Sequence, residues 1–134
     1  MEMRIRFPGN KKVNADFDGF SLATDQPIEA GGDGSAPAPF DLFLASIGTC
    51  AGIFVLSFCQ KRGLSTDGLE ILQKMDWDSE KHLVSKVTLE IKVPKDFPEK
   101  YRESLVSAAN LCTVKRHLLE PPRFEVFVSK GELG

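Results

Sequence analysis

Apolar and polar side chains alternate along the first two dozen positions of the chain. Met1, Met3, Ile5 and Phe7 share one parity and Glu2, Arg4 and Arg6 the other, before Pro8-Gly9-Asn10 supplies a turn. Val13, Ala15 and Phe17 resume the period of two, and Asp18-Gly19 is a hairpin signal ahead of Phe20 and Leu22. The pattern predicts a three-strand meander over residues 1–24. Residues 25–38, "DQPIEAGGDGSAPA", are rich in Gly, Pro and Ala and lack apolar periodicity, so they read as a loop.

The pattern then changes character. Pro39 suits the first turn of a helix, where its missing N–H is not needed, and Asp41 complements the positive end of the dipole. Lys61 and Arg62 favour the negative end, and Gly63 supplies the stop. This is a helix of about six turns. Two strands follow: Leu69, Ile71, Met75 and Trp77 share a parity that Gln73 interrupts, whereas Val87, Leu89, Ile91 and Val93 alternate without fault. "DSEKH" (78–82) is the expected hairpin tip.

A second helix begins near Pro98, with Tyr101, Leu105, Ala108 and Cys112 on one stripe. It breaks around 111–114, resumes to Leu119, and is closed by Pro121-Pro122. "RFEVFVSK" (123–130) is expected to be a final strand. The order β-β-β-α-β-β-α-α-β predicts one α+β domain over residues 1–134, with largely antiparallel pairing in a sheet of about six strands.

The apolar helix poses the central question. From Leu42 to Cys59 there is no charged side chain, and eighteen residues cover about 27 Å, marginally enough for a bilayer. Against a membrane span, its flanks are half-buried strands and no Trp or Tyr belt marks its ends. A soluble helix apolar on all sides must be covered on all sides, and one sheet covers one face. A second copy of the chain is the expected cover, making a homodimer.

Composition narrows the class. Of 134 residues, 42% are hydrophobic and 27% charged, ordinary for a soluble globular protein. A net charge of −2 carries no basic excess that would mark a nucleic-acid partner. Three cysteines form an odd count, and Met1–Phe7 does not resemble a secretion signal, so reduced thiols in the cytoplasm are expected.

Cys50 and Cys59 are nine residues apart, about 180° around one helix, so they cannot pair with each other. Cys59, among Phe54, Leu56 and Phe58, is the better candidate for plain packing. Cys112 opens a helical restart, "LCTVKRHL", where unused N–H groups lower a thiol pKa and Lys115, Arg116 and His117 follow. Spacing alone leaves several readings open. All three thiols can be buried small hydrophobes; a zinc site could draw on Cys50, Cys112, His117 and His82, although no CxxC or HxxxH spacing exists; and Cys50 or Cys112 could serve a Cys–His hydrolase with His117 or His82.

Two motifs carry a resemblance. "GGDGSAPAPFDLFLASIGTC" runs a Gly/Pro loop into an apolar helix bearing Cys50, and "LCTVKRHL" places Cys112 about sixty residues on. Together with the order of elements, they resemble the OsmC/Ohr proteins (osmotically inducible and organic-hydroperoxide-resistance proteins), and more closely the OsmC-like branch. The resemblance implies an intertwined α+β homodimer, antiparallel sheets around two long central helices. It implies a thiol peroxidase needing no metal or organic cofactor. Its substrate would be an organic hydroperoxide and its reductant a dithiol, with neither nucleic acid nor membrane as partner. Cys50 would be the peroxidatic nucleophile and Cys112 the resolving thiol.

The family pairs an Arg of the N-terminal hairpins with a Glu at the start of the central helix to activate that thiolate. Here the nearest acidic position is Asp41, on the face roughly opposite Cys50, where it can equally be a first-turn partner of the helix dipole. Arg4 and Arg6 lie earlier than the family's Arg, and Lys11 or Lys12 falls closer.

Overall fold

The computed structural model describes residues 1–131 and divides the chain into two compact parts, Met1–Thr49 and the residues from Cys50 onward. The first part holds the predicted meander: β1 (Arg4–Gly9), β2 (Lys12–Phe17) and β3 (Phe20–Thr24), paired antiparallel in that order. Asp18 and Gly19 both take positive φ, 48° and 80°, which is the backbone a two-residue hairpin needs. The β1–β2 ladder shifts register between Arg6 and Gly9, across Pro8, which has no N–H to donate.

The loop after β3 contains one helical turn (Ile28–Ala30) and is organised around Asp25, whose side chain is fully buried. The Asp25 carboxylate accepts hydrogen bonds from the N–H of Gln26 at 2.7 Å, of Ser35 at 3.0 Å and of Asp33 at 3.5 Å, and from the Ser35 hydroxyl. These donors, the Ser35 hydroxyl foremost, hold its pKa well below the usual carboxylate range. The loop is drawn so tight that a Cβ on Gly32 would lie 2.0 Å from the Gln26 carbonyl oxygen. From outside, Asn10 Nδ2 donates to Gly31 O and to Asp33 Oδ1, both at 3.1 Å, and Lys12 pairs with Asp33. Nothing in the apolar pattern signalled this knot, because its bonds run from one carboxylate to backbone groups.

Helix α1 (Pro39–Lys61) has the predicted bounds. Its internal hydroxyls bond backward along the helix, Ser46 Oγ to Phe43 O at 2.6 Å and Thr49 Oγ1 to Ala45 O at 2.9 Å, which lets them sit in an apolar run. The end is a Schellman motif: Leu64 N–H donates to Cys59 O at 2.9 Å and Gly63 N–H to Gln60 O at 3.3 Å, with Gly63 at φ 63°. Ile47, Ala51, Val55 and Cys59, four apart, form the buried stripe, while Phe40, Phe43 and Ile53 face outward.

In the second part, β4 (Glu70–Asp78) and β5 (Leu83–Lys92) form a hairpin whose tip is closed by Asp78, which accepts from Glu80 N and Lys81 N at 3.0 Å. A 3-10 turn (Glu99–Tyr101) leads into α2 (Arg102–Ala109), and α3 (Thr113–Leu119) follows after the predicted break. The core gathers Val55, Cys59 and Leu105, with Phe58, Ile71, Ile91, Val93 and Phe97 packed on them. Thus the inner end of the hairpin is covered, whereas Met75, Trp77 and Leu83 at its outer end are exposed.

Two expectations need correction. The strands form two separate sheets, of three and two strands, in place of one sheet of about six. The predicted strand over 123–130 carries no ladder among the described residues. Its alternating Phe124, Val126 and Val128 are 86%, 94% and 97% exposed. A period-two pattern specifies a strand only where an edge is available to receive it. The second helical stretch is divided, as expected, into the short α2 and α3.

Candidate active site

The structure brings Cys50 and Cys112 together. Cys50 lies on α1, half-buried, and Cys112 is the buried N-cap residue of α3; both are in the thiol form. At the cap, Cys112 Sγ accepts the Lys115 N–H at 3.4 Å, and Cys112 O accepts the Arg116 N–H at 3.1 Å. That capping directs the next two residues toward α1. Near the Cys50 sulfur stand the Val114 backbone, the Cys112 side chain, and the backbone and side chain of Thr113.

These contacts have an electrostatic consequence. The Val114 N–H is the strongest influence lowering the Cys50 pKa; the Cys112 thiol and Thr113 act in the same direction, against the opposing push of burial. The sequence placed the stabilising N–H groups of this restart beside Cys112. The Lys115 N–H does serve Cys112, while those of Val114 and Thr113 act on Cys50.

Cys59 behaves in the opposite way. It is completely buried beside Val55 and Leu105, and desolvation pushes its pKa up, with Arg62 opposing only in part. Its assignment as a packing residue fits this setting. Asp41 occupies the first turn of α1, two and a half turns from Cys50, about 13.5 Å along the helix axis.

The remaining candidates are occupied elsewhere. His117 Nδ1–H donates to Thr113 O at 2.8 Å, within α3, and Lys115 Nζ donates to Asn110 Oδ1 at 2.8 Å. His82 stands at the β4–β5 tip with φ 54°. Arg6 pairs with Asp16 at 3.1 Å across β1 and β2. Among the described residues, no three His, Cys, Asp or Glu side chains gather where they could hold a metal ion, so the four-ligand zinc arrangement is not assembled. What the site can do rests on two adjacent sulfurs, one held by hydrogen-bond donors.

The chain is an antiparallel α+β fold with one cysteine on its long helix and a second capping a later helix, the arrangement expected of the OsmC type. Residues 32–127 match the sequence profile of the family described as OsmC-like protein, and the chain belongs to that family. Among curated protein sequences none matches it.

Solved structures share the fold. A Psychrobacter arcticus 273-4 protein, provisionally described as an osmotic stress induced and detoxification response protein, superposes with a TM-score of 0.72 at 19% identity, over 85% of each chain. A hypothetical protein from Aquifex aeolicus VF5 gives 0.63 at 16% identity, covering 90% of this chain and 87% of the other. An organic hydroperoxide resistance protein OsmC from Legionella pneumophila gives 0.55 at 18% identity, covering 88% and 89%.

Helix α1 is long and apolar enough to cross a membrane by length and composition. Its buried Ile47–Cys59 stripe is equally compatible with the core helix of a soluble protein, as is membership of this family.

Proposed function

We propose that the chain is a cysteine-based thiol peroxidase acting on organic hydroperoxides. The observation that carries this reading is the Cys50 sulfur lying against both the Cys112 thiol and the donors of residues 113–114. Those donors favour the thiolate, which is the nucleophilic form. The thiolate attacks the terminal oxygen of the hydroperoxide, the O–O bond breaks, and the alkoxide leaves and takes up a proton as the alcohol. Cys50 is left as a sulfenic acid. The Cys112 thiol then attacks that sulfur, expelling water and forming the Cys50–Cys112 disulfide. A dithiol reductant supplies two electrons and two protons to restore both thiols, itself becoming a disulfide.

Assembly belongs to the same reading. The outward Phe40, Phe43 and Ile53 of α1, the outer end of the β4–β5 hairpin and the alternating apolar residues at 124–128 are surfaces that a second copy would cover. The working form is an intertwined cytoplasmic homodimer with α1 from each copy at its centre and each active site drawing on both subunits. Asp41, at the head of α1, is the acidic residue to which the family resemblance would give a part in activating the thiolate. Neither nucleic acid nor membrane takes part.

Consumption of cumene hydroperoxide with a dithiol such as dithiothreitol tests the activity. Turnover should vanish in Cys50→Ser, while Cys112→Ser should complete one reduction and accumulate a sulfenic or sulfinic Cys50 by intact mass. Undiminished consumption in Cys50→Ser would sink the assignment. Buried, inert cysteines in an OsmC-type binding protein would instead show no hydroperoxide-dependent mass change at all. Sedimentation in detergent-free buffer should give twice the 14.8 kDa chain mass.

A further inference from the structure

Cys112 stands at a corner of the chain. Its backbone leaves the helical region, at φ −48° and ψ 121°, between the end of α2 and the start of α3. Two of the bonds that close this corner are weak. Cys112 N–H reaches Ala109 O at 3.4 Å, and Cys112 Sγ, a poor acceptor, takes the Lys115 N–H at 3.4 Å. A third tie spans the corner without using the sulfur. Lys115 Nζ donates to Asn110 Oδ1 at 2.8 Å, joining the C-cap residue of α2 to the first turn of α3. Between the two, Cys112 is 2% exposed although Leu111 and Thr113 on either side of it are exposed.

We propose that Asn110 and Lys115 are positioning residues for Cys112, their side-chain bridge holding the α2–α3 corner closed so that this thiol stays buried and in place. Its consequence for turnover rests on Cys112 being the resolving thiol. In that step Cys112 Sγ attacks the sulfenic sulfur of Cys50; the S–S bond forms, the S–O bond breaks, and hydroxide leaves with the thiol proton as water. A thiol held in one place reaches that sulfur more often than one on a loosened corner. Asn suits the post because a neutral oxygen holds the ammonium without adding a negative charge beside Cys112, which would disfavour a thiolate.

The first readout is alkylation of the native protein by iodoacetamide, with the Cys112 and Cys59 peptides followed in the same sample by mass spectrometry. Both thiols are buried, so each reacts only through an opening of the fold. Asn110→Ala and Lys115→Met should each quicken Cys112 alkylation about two- to fivefold, the range for one exposed hydrogen bond to a charged group, and leave Cys59 at its wild-type rate. The double variant should go no further than either single one. Asn110→Asp, which keeps an acceptor oxygen at that place, should hold Cys112 at or below the wild-type rate.

An unchanged Cys112 rate in both single variants overturns the proposal, as does a quickening that Cys59 shares or that Asn110→Asp reproduces. The second readout is dimedone trapping of the Cys50 sulfenic acid after one equivalent of cumene hydroperoxide. Trapping should rise in Asn110→Ala as resolution slows, and equal trapping in variant and wild type would overturn the part of the bridge in resolution. Alkylation needs no hydroperoxide. A failed peroxidase reading and a failed role for the bridge thus give different results.

Discussion

Two cysteines on one helix meet opposite fates. Cys50 and Cys59 share α1 and are nine residues apart, so helical phase alone sends them to opposite sides. Phase does not say which side is reactive. Cys59 continues the stripe of Ala51 and Val55 and is sealed by Leu105, where water is absent and the thiol is held neutral. Cys50 meets the polar first turn of α3, whose backbone and side-chain donors favour its anion. A buried or half-buried thiol is thus inert or activated according to what stands across from it.

The contrast can be broken most forcefully at Leu105. Leu105→Ala removes the side chain that closes the Cys59 pocket and should cost about 2–5 kcal/mol, read from urea unfolding. The same variant should let iodoacetamide reach Cys59 under native conditions. In the intact protein, alkylation at pH 7 should favour Cys50 over Cys59 by about a hundredfold or more, since Cys59 reacts only through opening of the core.

The pH dependence of stability should differ in sign between the two. Cys50 has a lowered pKa in the folded state, so between its folded and unfolded values the unfolded chain binds more protons and stability rises with pH. Cys59 has a raised one; above the unfolded value the unfolded chain has lost a proton that the native state keeps, and stability falls as pH rises. Urea midpoints between pH 7 and 10 for Cys50→Ser and Cys59→Ala should therefore deviate from wild type in opposite directions. The smallest expected effect is Cys59→Ala at neutral pH, a loss of about 1 kcal/mol with hydroperoxide consumption unchanged.

Elements whose partners are local were readable in the sequence. Pro39, Lys61 and Gly63 bound α1 because caps act within a turn, and Asp18-Gly19 set the first sheet because a two-residue turn leaves little choice. Residues 123–130 show the limit: their alternation is as good as that of β5, yet β5 has β4 beside it and they have no ladder among the described residues. Asp25 shows the converse. A stretch without periodicity is held firmly by a single carboxylate, whose hydrogen-bond donors leave no hydrophobic trace. For the site, the spacing of Cys50 and Cys112 left their pairing open: two helices packed over one sheet could bring them face to face, and family resemblance favoured that reading. The donors at Thr113 and Val114 were legible as unused N–H groups, but which sulfur they face depends on packing across sixty residues.

The central claim is that Cys50 and Cys112 form one redox pair while Cys59 is a packing residue. Peptide mapping after addition of one equivalent of cumene hydroperoxide tests it most directly. The account predicts a single cross-linked species joining the Cys50 and Cys112 peptides, with Cys59 recovered as an alkylatable thiol after denaturation. A disulfide that includes Cys59, or three reduced thiols with the hydroperoxide unconsumed, would contradict it.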